Sequence, residues 1–214
     1  EGINGQRYIG TGLKDGSLKI EVLGVPGNDL AAFMDGPTIE VHSNGQDAVG
    51  NTMNSGKVVI EGNAGDLLGH SMRGGKIFVR GSVGYRTGIH MKAYQDLYPV
   101  VIIGGGARDF LGEYMAGGLL VVLGLDVPDS EIVGKFVGTG MHGGEIYVRG
   151  DVEKHQLGEE VGIQEPSDED LGKLENYLEG YCEYFDLDLV DIMKEDFLKL
   201  VPTTHRPYGK LYAY

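Results

Sequence analysis

Short apolar stretches of period two recur along the first two thirds of the chain: Thr38-Ile39-Glu40-Val41, Lys57-Val58-Val59-Ile60, Lys76-Ile77-Phe78-Val79, Leu119-Leu120-Val121-Val122 and Glu145-Ile146-Tyr147-Val148. Runs of this kind predict strands, whose successive side chains leave on opposite faces. With the related runs at 18–23 and 99–103, the pattern predicts seven strands, at 18–23, 38–42, 57–61, 76–80, 99–103, 119–123 and 145–149. Alternation turns Ile20/Val22, Ile39/Val41, Val58/Ile60, Ile77/Val79, Val100/Ile102, Leu120/Val122 and Ile146/Val148 inward. The residues between them form an outward column of Glu21, Glu40, Val59, Phe78, Val101, Val121 and Tyr147. Its apolar members, Val59, Phe78, Val101, Val121 and Tyr147, are a candidate interface, to be covered by the chain's own tail or by a partner.

The strands belong to a repeat. Met34, Met53, Met72, Met91, Met115 and Met141 are spaced by 19, 19, 19, 24 and 26 residues, the longer intervals carrying insertions at 92–98 and 125–131. A glycine stands three positions before the last five (Gly50, Gly69, Gly88, Gly112, Gly138), another precedes several strands (Gly75, Gly118, Gly144), and others close them (Gly81, Gly124, Gly150). A period near 20 residues with one short strand per unit predicts a solenoid. The expected architecture is all-β: a single-stranded parallel β-helix of about seven coils, with glycines at positive-φ corners and the methionines as an inner ladder.

After residue 164 the pattern changes. Residues 165–214 hold only three glycines, Gly172, Gly180 and Gly209, with twelve acids and five bases. This divides the chain into a repeat domain, 1–164, and an acidic, mainly helical tail, 165–214, that packs on or caps it. Ser167-Asp168-Glu169-Asp170 reads as a helix start, followed by Leu171, Leu174, Leu178 and Tyr181 at helical spacing. A second helix is expected within 188–200, carrying Val190, Met193, Phe197 and Leu200, and Tyr208, Tyr212 and Tyr214 are expected to dock the terminus.

Composition narrows the classes of function. Glycine, 37 of 214 residues, is abundant enough to suit the repeat, whereas seven prolines fit neither collagen nor a stiff linker. A net charge of −14 argues against nucleic acid and anionic membrane as partners. One cysteine, Cys182, makes no internal disulfide, cysteine-based zinc site or iron–sulfur cluster, and it points with the absence of a signal pattern to the cytoplasm. The chain opens at Glu1, which leaves processing or truncation open.

Candidate chemistry is sparse. Gly104-Gly105-Gly106 follows a strand, but Asp109 stands where a dinucleotide fingerprint needs glycine. Asp47, Asp66 and Asp109 each precede a repeat methionine by six residues. Stacked roughly 5 Å apart, Asp47 and Asp66 would suit a retaining glycosidase pair, against the reading that they are turn residues bonding to backbone. The histidines, His42, His70, His90, His142, His155 and His205, share no column. No catalytic, cofactor-binding or metal-ligating residue is assigned.

The unit Gly69-His70-Ser71-Met72-Arg73-Gly74-Gly75-Lys76-Ile77-Phe78-Val79-Arg80-Gly81, repeated at 138–150, resembles the GXGXG domain, the C-terminal domain of the glutamate synthase large (alpha) subunit. The ending Thr203-Thr204-His205-Arg206-Pro207-Tyr208-Gly209 is similar to tails of the archaeal-type split form, where the domain is a separate polypeptide. The resemblance implies a right-handed β-helix with no catalytic residue of its own. It implies as partners an amidotransferase that releases ammonia from glutamine and an FMN- and iron–sulfur-containing synthase acting on 2-oxoglutarate, and both cofactors are expected on the partner. The alternatives are a scaffold like the formylmethanofuran dehydrogenase chain built on the same repeat, a carbohydrate-active β-helix and a self-associating homo-oligomer.

Overall fold

The computed structural model describes residues 1–203; the expected docking of Tyr208, Tyr212 and Tyr214 and the position of His205 lie outside the described residues. In chain order the elements are β1 (Ile3–Asn4), β2 (Lys19–Val22), β3 (Gly24–Val25), β4 (Asp35–Val41), β5 (Ser55–Ile60), β6 (Lys76–Val79), β7 (Val100–Ile103), β8 (Ala116–Val122), β9 (Gly143–Arg149), β10 (Val161–Gln164), α1 (Asp168–Phe185), α2 (Leu189–Ile192) and β11 (Phe197–Pro202). Strands β1 and β3 form a small parallel pair. The other nine make one sheet in the order β10-β11-β9-β8-β7-β6-β5-β4-β2.

From β2 to β9 the strands are parallel and each repeat residue meets its counterpart, as in Val58↔Ile77, Ile77↔Val101, Val101↔Leu120 and Leu120↔Ile146. Then β11 pairs antiparallel with β9, Leu198 opposite Val148, and β10 pairs antiparallel with β11. This corrects the expected all-β, seven-coil parallel β-helix. The structure is a mixed, mostly parallel nine-stranded sheet with an 18-residue helix, and it is not a closed solenoid. The period described the units and was silent on what ends them: the tail supplies β11, whose direction breaks the parallel run. The helix expected across 188–200 is likewise only the single turn of α2, because Phe197 and Leu200 belong to β11.

A second correction concerns faces. Val101 and Ile103 point into the inner core with Ile77, Val79, Leu120 and Val122, whereas Val100 and Ile102 lie on the outer side with Phe78 and Val121. The expected assignment of Val100, Val101 and Ile102 is thus inverted. The insertion before this strand removes the 19-residue spacing that fixes the register elsewhere, β7 is apolar at every position, and a one-residue slip in a strand exchanges its faces.

The segments returning between strands have a regular backbone of their own. Five, three and one residues before each later methionine, φ is positive: Leu67, Gly69 and Ser71; Arg86, Gly88 and His90; Phe110, Gly112 and Tyr114; Phe136, Gly138 and Gly140. A left-handed non-glycine residue costs roughly 1–2 kcal/mol, so the arrangement needs compensation. It comes from hydrogen bonds between units that alternate in direction: Leu67 N–H donates to Tyr85 C=O at 2.9 Å, Gly69 N–H to Val49 C=O at 2.8 Å in the preceding unit, and Ser71 N–H to Ile89 C=O at 2.9 Å. Residues three before the methionine are glycine for a further reason, since a Cβ at Gly50 would collide with the Ile77 side chain. Met34, Met53, Met72, Met91, Met115 and Met141 fill the space between this wall and the inner face of the sheet, each essentially without solvent exposure.

Candidate functional site

Two outer surfaces bear on function: the outward face of the sheet and the outside of the return wall. The sheet face is covered by α1. Ser167 starts this helix by accepting from Asp170 N–H while the Asp170 carboxylate accepts from Ser167 N–H, and Asp168, Glu169 and Asp170 suit the positive end of its dipole. Asp186 ends it with a left-handed backbone, φ 52°. Leu174, Leu178, Tyr181, Cys182 and Phe185 share one stripe and pack on Val59, Phe78, Ile102, Val121 and Tyr147. The Phe78 and Tyr181 rings meet edge to face at 5.7 Å, Tyr181 Oη donates to Val79 C=O, and Arg80 donates to Phe185 C=O at 3.1 Å.

The candidate interface is therefore placed as follows. Val59, Phe78, Val121 and Tyr147 are buried under the chain's own helix and present no surface to a partner, and Val101 lies in the inner core. Ile102 holds the column position given to Val101.

One edge of this contact is ionic. Lys199 of β11 donates to Asp170 of α1 at 2.5 Å and pairs with Glu145 of β9 at 2.8 Å; Lys173 donates to Glu145 at 2.6 Å and to Tyr98 Oη at 3.2 Å; Tyr147 Oη donates to Asp170 at 3.0 Å. The Lys199 hydrogen bond holds the Asp170 carboxyl far below the usual carboxylate range. Burial alone would raise Glu145, but Lys173 and Lys199 outweigh it and lower its pKa. Burial likewise opposes the charge on both lysines, and the carboxylates overcome it and raise them. Burial and the neighbouring negative charges push the Tyr147 hydroxyl upward. At neutral pH every member keeps its ordinary charge, so the cluster clamps α1, β9 and β11 together and holds no proton ready for transfer.

The recurring acids serve the turns. Asp47 Oδ1 accepts from Asp66 N–H at 2.9 Å, Asp66 Oδ1 from Tyr85 N–H at 2.9 Å, and Asp109 Oδ1 from Lys135 N–H at 2.8 Å. A parallel ladder runs from Asn44 through Asn63 to Ser82 and Gly106. Each side chain thus closes the turn of the next unit. Gly104 sits hard against Arg80 C=O and the Tyr181 hydroxyl, where a side chain would clash. His70 bonds Asn51 at 3.1 Å and His42 bonds Glu61 at 2.7 Å; burial and the nearby His90 lower the His70 pKa. Among the described residues no three or more His, Cys, Asp or Glu side chains cluster to hold a metal ion, and no helix is long and apolar enough to cross a membrane.

The return wall is different, because its outside is aromatic and open. Tyr85, Tyr114 and Phe136 are 44%, 46% and 49% exposed. Phe110 stacks on Phe136 at 5.0 Å, His90 stacks on Tyr114 at 5.3 Å, and the Arg86 guanidinium lies 5.0 Å from the Phe110 ring. Beneath it Glu113 is buried; its Oε2 lies 3.1 Å from Arg86 Nε without accepting a hydrogen bond, so charge alone couples them. Asp66, Leu67, Tyr85, Arg86 and Phe110 line an open cleft, and Tyr85 also borders a second one with Arg108, Asp109, Val127 and Glu131, so acids and bases are mixed along this face. The residue pattern missed this strip. Its signal lay in the positions five and one before each methionine, which carry Arg86, Phe110 and Phe136 and then His90 and Tyr114.

A many-unit sheet whose recurring polar side chains bond to its own turns defines a repeat protein. The GXGXG motif family matches residues 2–205, nearly the whole chain, and the chain belongs to that family, which is the family of the glutamate synthase C-terminal domain. It is also 50% identical to uncharacterized protein MJ1350 of Methanocaldococcus jannaschii over 215 residues, 98% of this chain and 82% of the relative.

Proposed function

We propose that the chain is a noncatalytic structural subunit of a glutamate synthase-type assembly, a cytoplasmic platform for an amidotransferase and an FMN- and iron–sulfur-bearing synthase that together make glutamate from glutamine and 2-oxoglutarate. Membership of the GXGXG family supports the relation to glutamate synthase. The observation that carries the structural role is the engagement of Asp47, Asp66 and Asp109 by backbone N–H groups of neighbouring units. The recurring acids, the residues best placed for catalysis by stacking, stabilise the stack instead. Residues 1–164 are then the platform, and the described part of 165–214 covers the sheet's outer face. On this reading the flavin and the cluster reside on the synthase chain.

The test is affinity purification of the native protein from its source cells, with a flavin absorbance scan and identification of co-eluting chains. A flavin-bearing synthase chain and an amidotransferase recovered in fixed proportion are the expected result. Recovery of the protein colourless and self-associated would overturn the proposal.

A further inference from the structure

We infer that the return wall carries a proton-sensitive joint between the units of Met72 and Met91, built from the imidazoles of His70 and His90. Protonation of both rings opens the hydrogen bonds that join these two units, while the rest of the stack stays closed.

The joint lies in a row of side chains that crosses four successive units. Asn51 Oδ1 lies 3.1 Å from His70 Nδ1, the His70 and His90 rings meet edge to face with centroids 6.0 Å apart, and His90 stacks on Tyr114 at 5.3 Å. The Asn51 amide nitrogen is directed to Asp29 and its oxygen to His70, so in the neutral ring Nδ1 carries the hydrogen and Nε2 is the atom that takes up a proton. Ser71 Oγ stands 3.5 Å from that Nε2. His70 is half-buried, and its charging is opposed first by the loss of water and then by the neighbouring His90. His90 is exposed and keeps its place when charged, because a cation is favourable over the Tyr114 face.

The backbone here is strained as well. Ser71 and His90 are both left-handed, with φ of 53° and 55°, and the two units are held together by Ser71 N–H donating to Ile89 C=O at 2.9 Å and Gly88 N–H to Leu68 C=O at 2.7 Å. Two imidazolium rings side by side work against those bonds and favour a local opening. Other charges of the wall do not relieve them: Arg86 and Glu113 pair with each other at 3.1 Å, Asp29 is bonded to Asn51, and among the described residues no carboxylate is within ion-pair distance of either imidazole. The folded His70 holds its proton less readily than the unfolded chain does. Closure of the joint is therefore complete above the ordinary imidazole value, near pH 6.5, and is lost as pH falls through the lower folded one.

The test is amide hydrogen exchange on the purified full chain at low salt, at pH 7.5 and pH 5.5, each rate corrected for its intrinsic value. This window stays above the titration of the lowered Asp170 and Glu145 carboxyls. The parent is compared with His70→Asn and His90→Ser, which place there the residues that Asn51 and Ser71 supply at the same positions one unit earlier. Protection at the Ser71 and Gly88 N–H groups should fall at least threefold at pH 5.5 in the parent, stay level at Gly138, and stay level at all three in both variants. The His70 ring, followed by NMR, should also titrate at higher pH in His90→Ser. No fall in the parent, an equal fall at Gly138, a fall that survives either substitution, or a His70 titration indifferent to His90 would overturn the inference. If a substitution unfolds the chain, the exchange pattern of the parent decides alone.

Discussion

The two outer surfaces of this repeat are both rich in aromatic side chains, and they have opposite fates. On the sheet, Phe78 and Tyr147 are covered by a helix from the same chain and joined to it by an ionic clamp. On the return wall, Phe110, Tyr114 and Phe136 have no such cover among the described residues and stand beside arginine. A short repeat unit cannot bury both faces of its strand, so the chain completes one face itself. The contrast teaches that apolar periodicity identifies surfaces in need of cover, while the source of the cover is written elsewhere in the sequence.

The largest effect that separates the regions should come from the shared core. Met72→Asp places a charge where no solvent reaches, and it should cost about 4 kcal/mol or more, enough to abolish the cooperative thermal transition. Gly75 has φ +83°, and a Cβ there would lie 2.9 Å from Gly56 C=O, so Gly75→Val should also lower the melting temperature steeply. A parent-like melt for both would refute the registers described above.

On the covered face, Phe78→Ala should cost roughly 3 kcal/mol in urea unfolding, because it leaves a cavity under Tyr181. Removing the clamp's central cation by Lys199→Met should cost about 2–3 kcal/mol, since it leaves Asp170 and Glu145 short of a partner in a contact where Lys199 is only 12% exposed. The clamp also predicts a pH dependence. Asp170 and Glu145 have folded-state pKa values below their unfolded ones, so their contribution is present above the unfolded values, near pH 4, and is lost as pH falls through the lower folded ones. Urea midpoints from pH 6 to pH 3 should therefore decline, and less steeply in Lys199→Met, where Asp170 loses the partner that lowers it most and Glu145 keeps only Lys173.

The smallest effect is expected on the open wall: Phe136→Ser should cost about 1 kcal/mol, because the ring is half exposed and loses chiefly its stacking on Phe110. A loss as large as that of Phe78→Ala would erase the distinction between the two faces.

Much of this was legible in the residues, and the misses have physical causes. Strand positions followed from period-two alternation, and the methionine ladder from equal spacing. The face of Val101 did not, because β7 is apolar at all four positions and carries no alternation of its own, so only its pairing with Ile77 and Leu120 decides which residues face in. Strand β11 was hidden because Phe197 and Leu200 fit a helical spacing as well as an extended one, and only pairing with Arg149 and Ile146 decides between them. The role of Asp47 and Asp66 was visible as one of two readings. The alternating left-handed wall was not visible as a strip, since glycine marks only the middle of its three positive-φ positions in most later units, and two of them before Met141, while Leu67, Arg86, Phe110 and Phe136 mark another without any propensity for it.

The central claim is that this chain assembles a glutamate-forming enzyme without supplying its chemistry. The most direct measurement mixes purified amidotransferase-type and flavin-bearing synthase-type chains with glutamine, 2-oxoglutarate and a reductant, and follows glutamate formation with and without this protein. Coupled, glutamine-dependent synthesis should appear only when it is present and should survive Asp47→Asn and Asp66→Asn at parental levels. Equal synthesis in its absence, or loss of activity on either substitution while the protein still folds and binds, would contradict the account.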